Sequence, residues 1–134
     1  MGLQGHCYCG RVRFEATADP MFKGQCYCRE CQYIAGGAPN NFVAVPVDSF
    51  VYTAGSPKSY SREDLENAVT REFCPDCGTH LVTRLKMLPA VIVKVGALDH
   101  PEDFAPAVAI QVADKQPYHV IAEQLKQFDR WPPM

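Results

Sequence analysis

Read for apolar and polar positions, the chain divides into short stretches of β-branched and aromatic residues, separated by Gly, Pro, Asn and Asp. Residues 11–17, 42–47, 51–53, 69–73, 81–84, 91–95 and 108–112 each read as a strand. In the first of these, Arg11-Val12-Arg13-Phe14-Glu15-Ala16 alternates polar and apolar side chains. Successive side chains leave a strand on opposite sides, so this alternation marks one wet face and one buried face. Eleven prolines and nine glycines spread along the chain leave little room for long helices. Two short ones are expected: residues 61–68, opened by Ser61 with Asp64 three residues on, and residues 122–128. The pattern predicts a mostly β fold with few short helices. At 134 residues it forms a single domain, residues 1–134, with no internal repeat or linker.

Composition narrows the partners. Apolar residues make up 47% and charged ones 21%, the balance of an ordinary soluble domain rather than a disordered chain. Formal net charge is −2, Lys and Arg are not clustered, and the aromatics are not interleaved with basic residues, so nucleic acid is not an expected partner. Apolar runs such as residues 90–93 are far too short to cross a membrane. Residues 1–20 hold no run resembling a signal peptide, and the expected location is the cytoplasm.

The cysteines change the picture most. All seven fall into three tight clusters, Cys7-Tyr-Cys9, Cys26-Tyr-Cys28-Arg-Glu-Cys31 and Cys74-Pro-Asp-Cys77. A disulfide framework wants an even count in a secreted chain, and seven is odd. A thioredoxin-like pair at Cys74/Cys77 would leave five cysteines unexplained. Metal binding accounts for all of them, because thiolates sharing a tetrahedral zinc must lie about 4 Å apart and so come in close pairs. Cys-x-x-Cys supplies such a pair at a turn, and Cys-x-Cys on a strand, where residues two apart share a side. Seven divides into four and three. Four thiolates close a structural site, whereas three leave a position open for water or substrate. Joining Cys7/Cys9 to Cys74/Cys77 through one metal would staple the N-terminal segment to the middle of the chain, and Cys26, Cys28 and Cys31 form a self-contained triad. Zinc is expected on availability and ligand softness, although four-thiolate sites also accept iron.

Four blocks of sequence extend the pattern: Gly5-His6-Cys7-Tyr8-Cys9-Gly10-Arg11-Val12-Arg13-Phe14, then Cys26-x-Cys28-x-x-Cys31 with Gly37-Ala38-Pro39, then Phe73-Cys74-x-x-Cys77-Gly78-Thr79, then Gly96-x-Leu98-Asp99. Over roughly residues 5–131 the chain resembles the glutathione-dependent formaldehyde-activating enzyme family, whose domain also occurs in centromere protein V. The resemblance implies a compact, mostly antiparallel β fold of the Mss4-like type with two Zn²⁺ per chain. Carried over, Cys7, Cys9, Cys74 and Cys77 would hold the structural zinc, and Cys26, Cys28 and Cys31 the catalytic one. It also implies a carbon–sulfur lyase type of activity, joining or cleaving a small thiol, glutathione or similar, and an aldehyde such as formaldehyde. The competing reading is a non-catalytic zinc module whose second site is labile and serves binding, metal or thiol handling. Where the family often has His between the first two triad cysteines, and basic residues after the third, this chain has Tyr27 and Gln32-Tyr33. Asn40-Asn41, Gln111 and Tyr118 are further departures, and these positions are expected to line the substrate cleft.

The remaining polar residues near the motifs carry weaker expectations. His6 and His80 adjoin the cysteine blocks but are not expected as ligands of a site that already has four thiolates. His119 is a candidate substrate contact or general base, subject to its reach. Arg29 and Arg71 are candidate charge partners for an anionic zinc–thiolate centre or a substrate carboxylate. Asp76, Glu30 and Asp99 read as turn or capping residues. Gly10 and Gly78, each directly after a cysteine pair, are expected to let the turn aim backbone N–H groups at sulfur.

Overall fold

The structure, a computed structural model, describes residues 2–133. Two sheets are stacked. The smaller contains β1 (Leu3–His6), β2 (Arg13–Ala16) and β5 (Phe50–Ala54) in the order β1-β2-β5. The larger contains β3 (Phe22–Cys26), β4 (Asn40–Pro46), β6 (Lys58–Tyr60), β7 (Thr70–Phe73), β8 (His80–Arg84), β9 (Ala90–Lys94), β10 (Val108–Ile110) and β11 (Lys126–Gln127). Its order is β11-β10-β3-β4-β9-β8-β7-β6. Pairing is antiparallel except around β10, which runs parallel to both β3 and β11. One α-helix, α1 (Arg29–Ile34), follows β3, and four short 3₁₀ turns complete the regular structure among the described residues.

The alternation read in residues 11–16 appears as predicted: Phe14 and Ala16 are buried, Arg13 exposed. Phe14 stacks on Phe50 at 5.4 Å between ring centroids. These side chains and Val12 pack against Val43, Val45, Leu81, Val82, Val91 and Val93 of the large sheet, forming the main core. Burying each such side chain contributes about 1.5–3 kcal/mol. The central strands β4 and β9 are apolar on both faces, since their opposite sides meet a second cluster of Cys26, Cys31, Phe42, Val108 and Ile110, flanked by Ile92 and Phe128. That is why residues 42–47 and 91–95 read as nearly continuous apolar runs rather than alternating ones.

Several expectations are corrected. Residues 61–68 form turns, not a helix: residues 61–67 bury no side chain and only Ala68 is buried, so a helix there would have no face to pack. Residues 122–128 likewise form a turn and then β11, whose pairing with β10 competes successfully with helix formation. The strand expected over 108–112 stops at Ile110, because Gln111 adopts a left-handed conformation with φ 55°. Cys7 and Cys9 sit in the turn between β1 and β2 rather than along a strand, held by the Cys7 N–H to Val12 carbonyl and Gly10 N–H to Cys7 carbonyl bonds. Strands β1, β3, β6 and β11 and helix α1 carry no strong apolar periodicity of their own and are set by their neighbours.

Candidate metal centres and the triad cleft

Both cysteine clusters are assembled. The sulfurs of Cys7, Cys9, Cys74 and Cys77 lie within 4.8 Å of one another, as do those of Cys26, Cys28 and Cys31. In the first cluster the Cys7–Cys9 and Cys9–Cys74 sulfur separations are 3.5 and 3.8 Å. A tetrahedron with metal–sulfur bonds near 2.3 Å has edges of about 3.8 Å, so the spacing fits a bound ion.

Two turns present these thiols. At the first, Gly10 has φ 81° and the Val12 N–H points at the Cys7 sulfur, 3.3 Å. At the second, Gly78 has φ 77° and the Asp76 and Cys77 N–H groups point at the Cys74 sulfur, 3.4 and 3.5 Å. A bulge between Glu72 and Phe73 starts the second turn at the end of β7. Thr79 ties the turns together: its hydroxyl accepts from the Tyr8 N–H at 3.0 Å and lies 3.2 Å from the Cys77 sulfur. The Thr79 hydroxyl and backbone hold the Cys77 thiol below the usual range. Asp76 faces Arg11 at 3.4 Å across the same junction, as a turn residue. His6 points away, its Nδ1 2.6 Å from the Cys7 carbonyl and its Nε2 3.6 Å from Asp99.

The triad is arranged differently. Cys26 ends β3, Cys28 is the N-cap of α1, and Cys31 lies in its first turn. The Cys28 sulfur takes the place of the usual capping oxygen, accepting the Cys31 N–H at 3.3 Å. Hydrogen bonds from the thiols of Cys26 and Cys31 hold Cys28 well below the usual range against the opposing effect of burial, and the Arg71 charge helps. Cys26 is pushed up by Cys28 and Cys31 and then by burial. With only three sulfurs, this cluster would leave a tetrahedral ion one position short.

Most of the departures from the family pattern turn inward instead of lining a cleft. Tyr27 is 1% exposed, its ring edge-on to His119 at 5.0 Å and its hydroxyl donating to Gln25 Oε1. Gln32, 2% exposed, is a fully bonded hub. Its Nε2 donates to the carbonyls of Tyr27 (2.8 Å) and Asp114 (3.0 Å), and its Oε1 accepts from Arg29 (2.6 Å) and Gln116 (3.1 Å). Gln111 is buried and accepts from Arg130. Tyr118 donates to the Gly37 carbonyl at 2.7 Å. His119 is spoken for at both nitrogens: Nδ1 accepts the Gln116 N–H, and Nε2 donates to the Gly37 carbonyl. It is a clamp on the turn after α1, which removes the lone pair a general base would need. Arg29 stacks over exposed Tyr33.

Two charged residues of low exposure on the triad's face of the sheet are Arg71 and Lys94. Lys94 was not anticipated, since a single lysine closing the apolar stretch 90–93 looks like a strand end reaching water. It is instead 7% exposed, with its ammonium 2.7 Å from the Thr83 hydroxyl. Burial, then Arg71, pushes Lys94 down to about 8, while the three triad thiols pull it back. Arg71 donates to the same hydroxyl at 3.1 Å and lies 3.7 Å from Glu30. His80 is lowered by burial and by these two cations, and its Nδ1 is a buried polar atom with no partner. A groove of about 750 Å³, lined by Leu3, Glu15, Lys23, Asp99 and Phe104 among others, includes none of the triad residues. No helix of the described residues is long and apolar enough to cross a membrane.

Comparison with known proteins adds a family. The family model described as "Glutathione-dependent formaldehyde-activating enzyme" matches residues 2–114. A Penicillium rubens protein named "Putative glutathione-dependent formaldehyde-activating enzyme" is 27% identical over 114 residues, covering 85% of this chain and 53% of its own. A Halomonas elongata protein of the same name is 29% identical over 86 residues, 60% of this chain and 55% of its own. The chain thus spans about half the length of the curated relatives it matches. The crystal structure of a Rhodobacter sphaeroides protein superposes with a TM-score of 0.59 at 19% identity, over 72% of this chain and 88% of that one, which establishes a shared fold.

Proposed function

The chain belongs to the glutathione-dependent formaldehyde-activating enzyme family, and on that premise we propose that it is a carbon–sulfur lyase type of enzyme, joining or cleaving a small thiol and an aldehyde such as formaldehyde. In this reading residues 1–134 act as one domain holding two Zn²⁺. Cys7, Cys9, Cys74 and Cys77 hold the structural ion, and Cys26, Cys28 and Cys31 the catalytic one. The observation that carries the reading is the contrast between the clusters: four thiols in turns that staple two segments, against three thiols at the mouth of α1 beside the buried Lys94 and the half-buried Arg71. Both sets need reduced thiols, which fits the cytoplasm.

Bound at the triad, zinc would hold a thiol in its remaining position and keep it ionised near neutral pH. The chain's own residues do the rest. Cys26, Cys28 and Cys31 are prepositioned by β3 and the first turn of α1, so little order is lost on binding. Phe42, Ile92, Val108 and Ile110 around the triad restrict water. Arg71 and Lys94 offset the negative charge of the sulfurs. The substrate sulfur attacks the aldehyde carbon, forming the C–S bond. The C=O π pair moves to oxygen, which takes up the proton lost by the thiol, so that RSH + CH₂O gives RSCH₂OH; cleavage is the reverse.

Exchange NMR of formaldehyde with small thiols, glutathione included, tests this directly. The zinc-loaded protein should accelerate exchange of the adduct with at least one thiol, and Cys28→Ser should abolish the acceleration while remaining folded. No acceleration with any thiol, or an empty triad in protein whose four-cysteine site is filled, would overturn the reading in favour of a binding module.

A further inference from the structure

A buried lysine on an apolar sheet face is costly unless something compensates it. Register places Lys94 relative to the triad. Gly24 of β3, Phe42 of β4 and Lys94 of β9 lie in one row across the sheet, and Cys26 is the next residue of β3 on the same face. On the other side, Lys94 shares its face with Ile92, whose partner is Thr83, which in turn pairs with Arg71. Cys26, Phe42, Ile92, Lys94, Thr83 and Arg71 therefore form one continuous surface.

On that surface both cations converge on one neutral oxygen. Lys94 Nζ and the Arg71 guanidinium each donate to Thr83 Oγ1, at 2.7 and 3.1 Å. A hydroxyl brings no charge to either. Arg71 has a distant contact with the half-exposed Glu30 at 3.7 Å, and among the described residues no carboxylate is ion-paired with Lys94. An ammonium has three donors and a guanidinium five, so both retain N–H groups beyond those that Thr83 engages. The nearby His80 Nδ1 is likewise without a partner.

We propose that Lys94 and Arg71, bridged by the Thr83 hydroxyl, form an anion subsite beside the three-cysteine cluster, and that it takes the carboxylate of the thiol bound there. The inference rests on the thiol-binding reading given above. It narrows the substrate to thiols that carry a carboxylate a few bonds from sulfur. The subsite supplies two positively charged donors in a site of low polarity, where charge-assisted hydrogen bonds are strongest.

The test is equilibrium binding by calorimetry to protein carrying two zinc ions per chain, using 3-mercaptopropionate and its neutral counterpart of equal length, 3-mercapto-1-propanol. Wild type should prefer the carboxylate by about tenfold or more, the size of one charge-assisted hydrogen bond. Lys94→Met, of similar volume, should weaken the carboxylate thiol more than the neutral one and so bring the two to near parity. Arg71→Gln, at a less buried position, should reduce the preference independently if Lys94→Met fails to fold. Equal binding of both thiols by wild type would overturn the subsite and leave the thiol reading standing. So would a preference that survives both substitutions, or a loss of affinity equal for both thiols, which is the signature of a cation that only offsets the triad's charge. If neither thiol binds the zinc-loaded protein, the functional reading itself falls.

Discussion

Replacing Gln32 with Met tests how the triad is held. The exchange keeps an unbranched side chain of similar volume and deletes every hydrogen bond of the amide. Arg29 and Gln116, the donors to Oε1, reach solvent and recover partners there. The acceptors for Nε2 do not fare as well. The Tyr27 carbonyl is buried and the Asp114 carbonyl partly so. An orphaned buried polar group costs about 1–3 kcal/mol, which puts the loss at about 3 kcal/mol when the half-exposed carbonyl is taken at the low end. For 134 residues, an unfolding entropy of about 2.1 cal/mol/K per residue converts this to a fall in Tm of about 11 °C. Because the same amide ties residues 27–32 to residues 114–116, zinc should also be held less tightly at the triad, with the four-cysteine site unaffected. Thermal melts of the zinc-loaded proteins, together with competitive chelator titration that resolves the two ions, measure both effects. A Tm within about 2 °C of wild type and unchanged triad affinity would refute the argument that this hub positions the cluster.

Other perturbations separate the remaining parts. Cys74→Ser should unfold the chain or nearly so, because the affinity of a structural zinc site is folding free energy of order 10 kcal/mol. Cys28→Ser should melt close to wild type while losing one ion, and equal collapse of both variants in thermal melts would contradict the division of the clusters. Gly5→Ala should be severely destabilising, since a Cβ there would lie 2.2 Å from the Ala97 carbonyl oxygen and 2.4 Å from the Phe14 ring; denaturant titration should show a loss well above the ~1 kcal/mol typical of single substitutions. Tyr52, half-buried and donating to Glu72 at 2.6 Å, has its phenol raised above the usual range by desolvation and then by Glu72. The unfolded chain ionises this group near pH 10 and the folded chain only above that, so its contribution is complete below about pH 10 and is lost as pH rises further. Urea titrations from pH 8 to 11 should therefore show a decline in stability that Tyr52→Phe lessens, and an identical profile would remove Tyr52 as the cause.

The two clusters divide the work by their placement. The four-cysteine cluster sits where β1, β2, β7 and β8 end in turns, so one ion there would fix the small sheet against the large one. The triad lies on the opposite face of the large sheet, between β3 and α1, where the helix, the segment around Asp114 and the clamp of Tyr118 and His119 on Gly37 determine its shape. A change in the C-terminal segment should therefore reach the triad before it reaches the other cluster.

What the sequence determined by itself is local. Cysteines one or two residues apart must share a turn or a short segment, and glycines following them must supply the left-handed turn, so the close pairs, the triad and the positive φ of Gly10 and Gly78 were legible before any fold was known. So were most of the strands with apolar repeats, because burial imposes its period directly on the chain. The parts that only the tertiary structure decided depend on register between distant strands. Nothing near Lys94 in sequence announces that β9 sets it in line with Phe42 and Gly24, on the face that carries Cys26. Nothing around Gln32 announces the carbonyl of Asp114, eighty-two residues away. Helix α1 was hidden for the same reason: its first turn is capped by a sulfur, and its buried face, Cys31 and Gln32, is a thiol and an amide rather than an apolar stripe. Hydrophobic periodicity reports what each segment buries, but a polar side chain is buried only where distant partners satisfy it, and those partners are chosen by the fold as a whole.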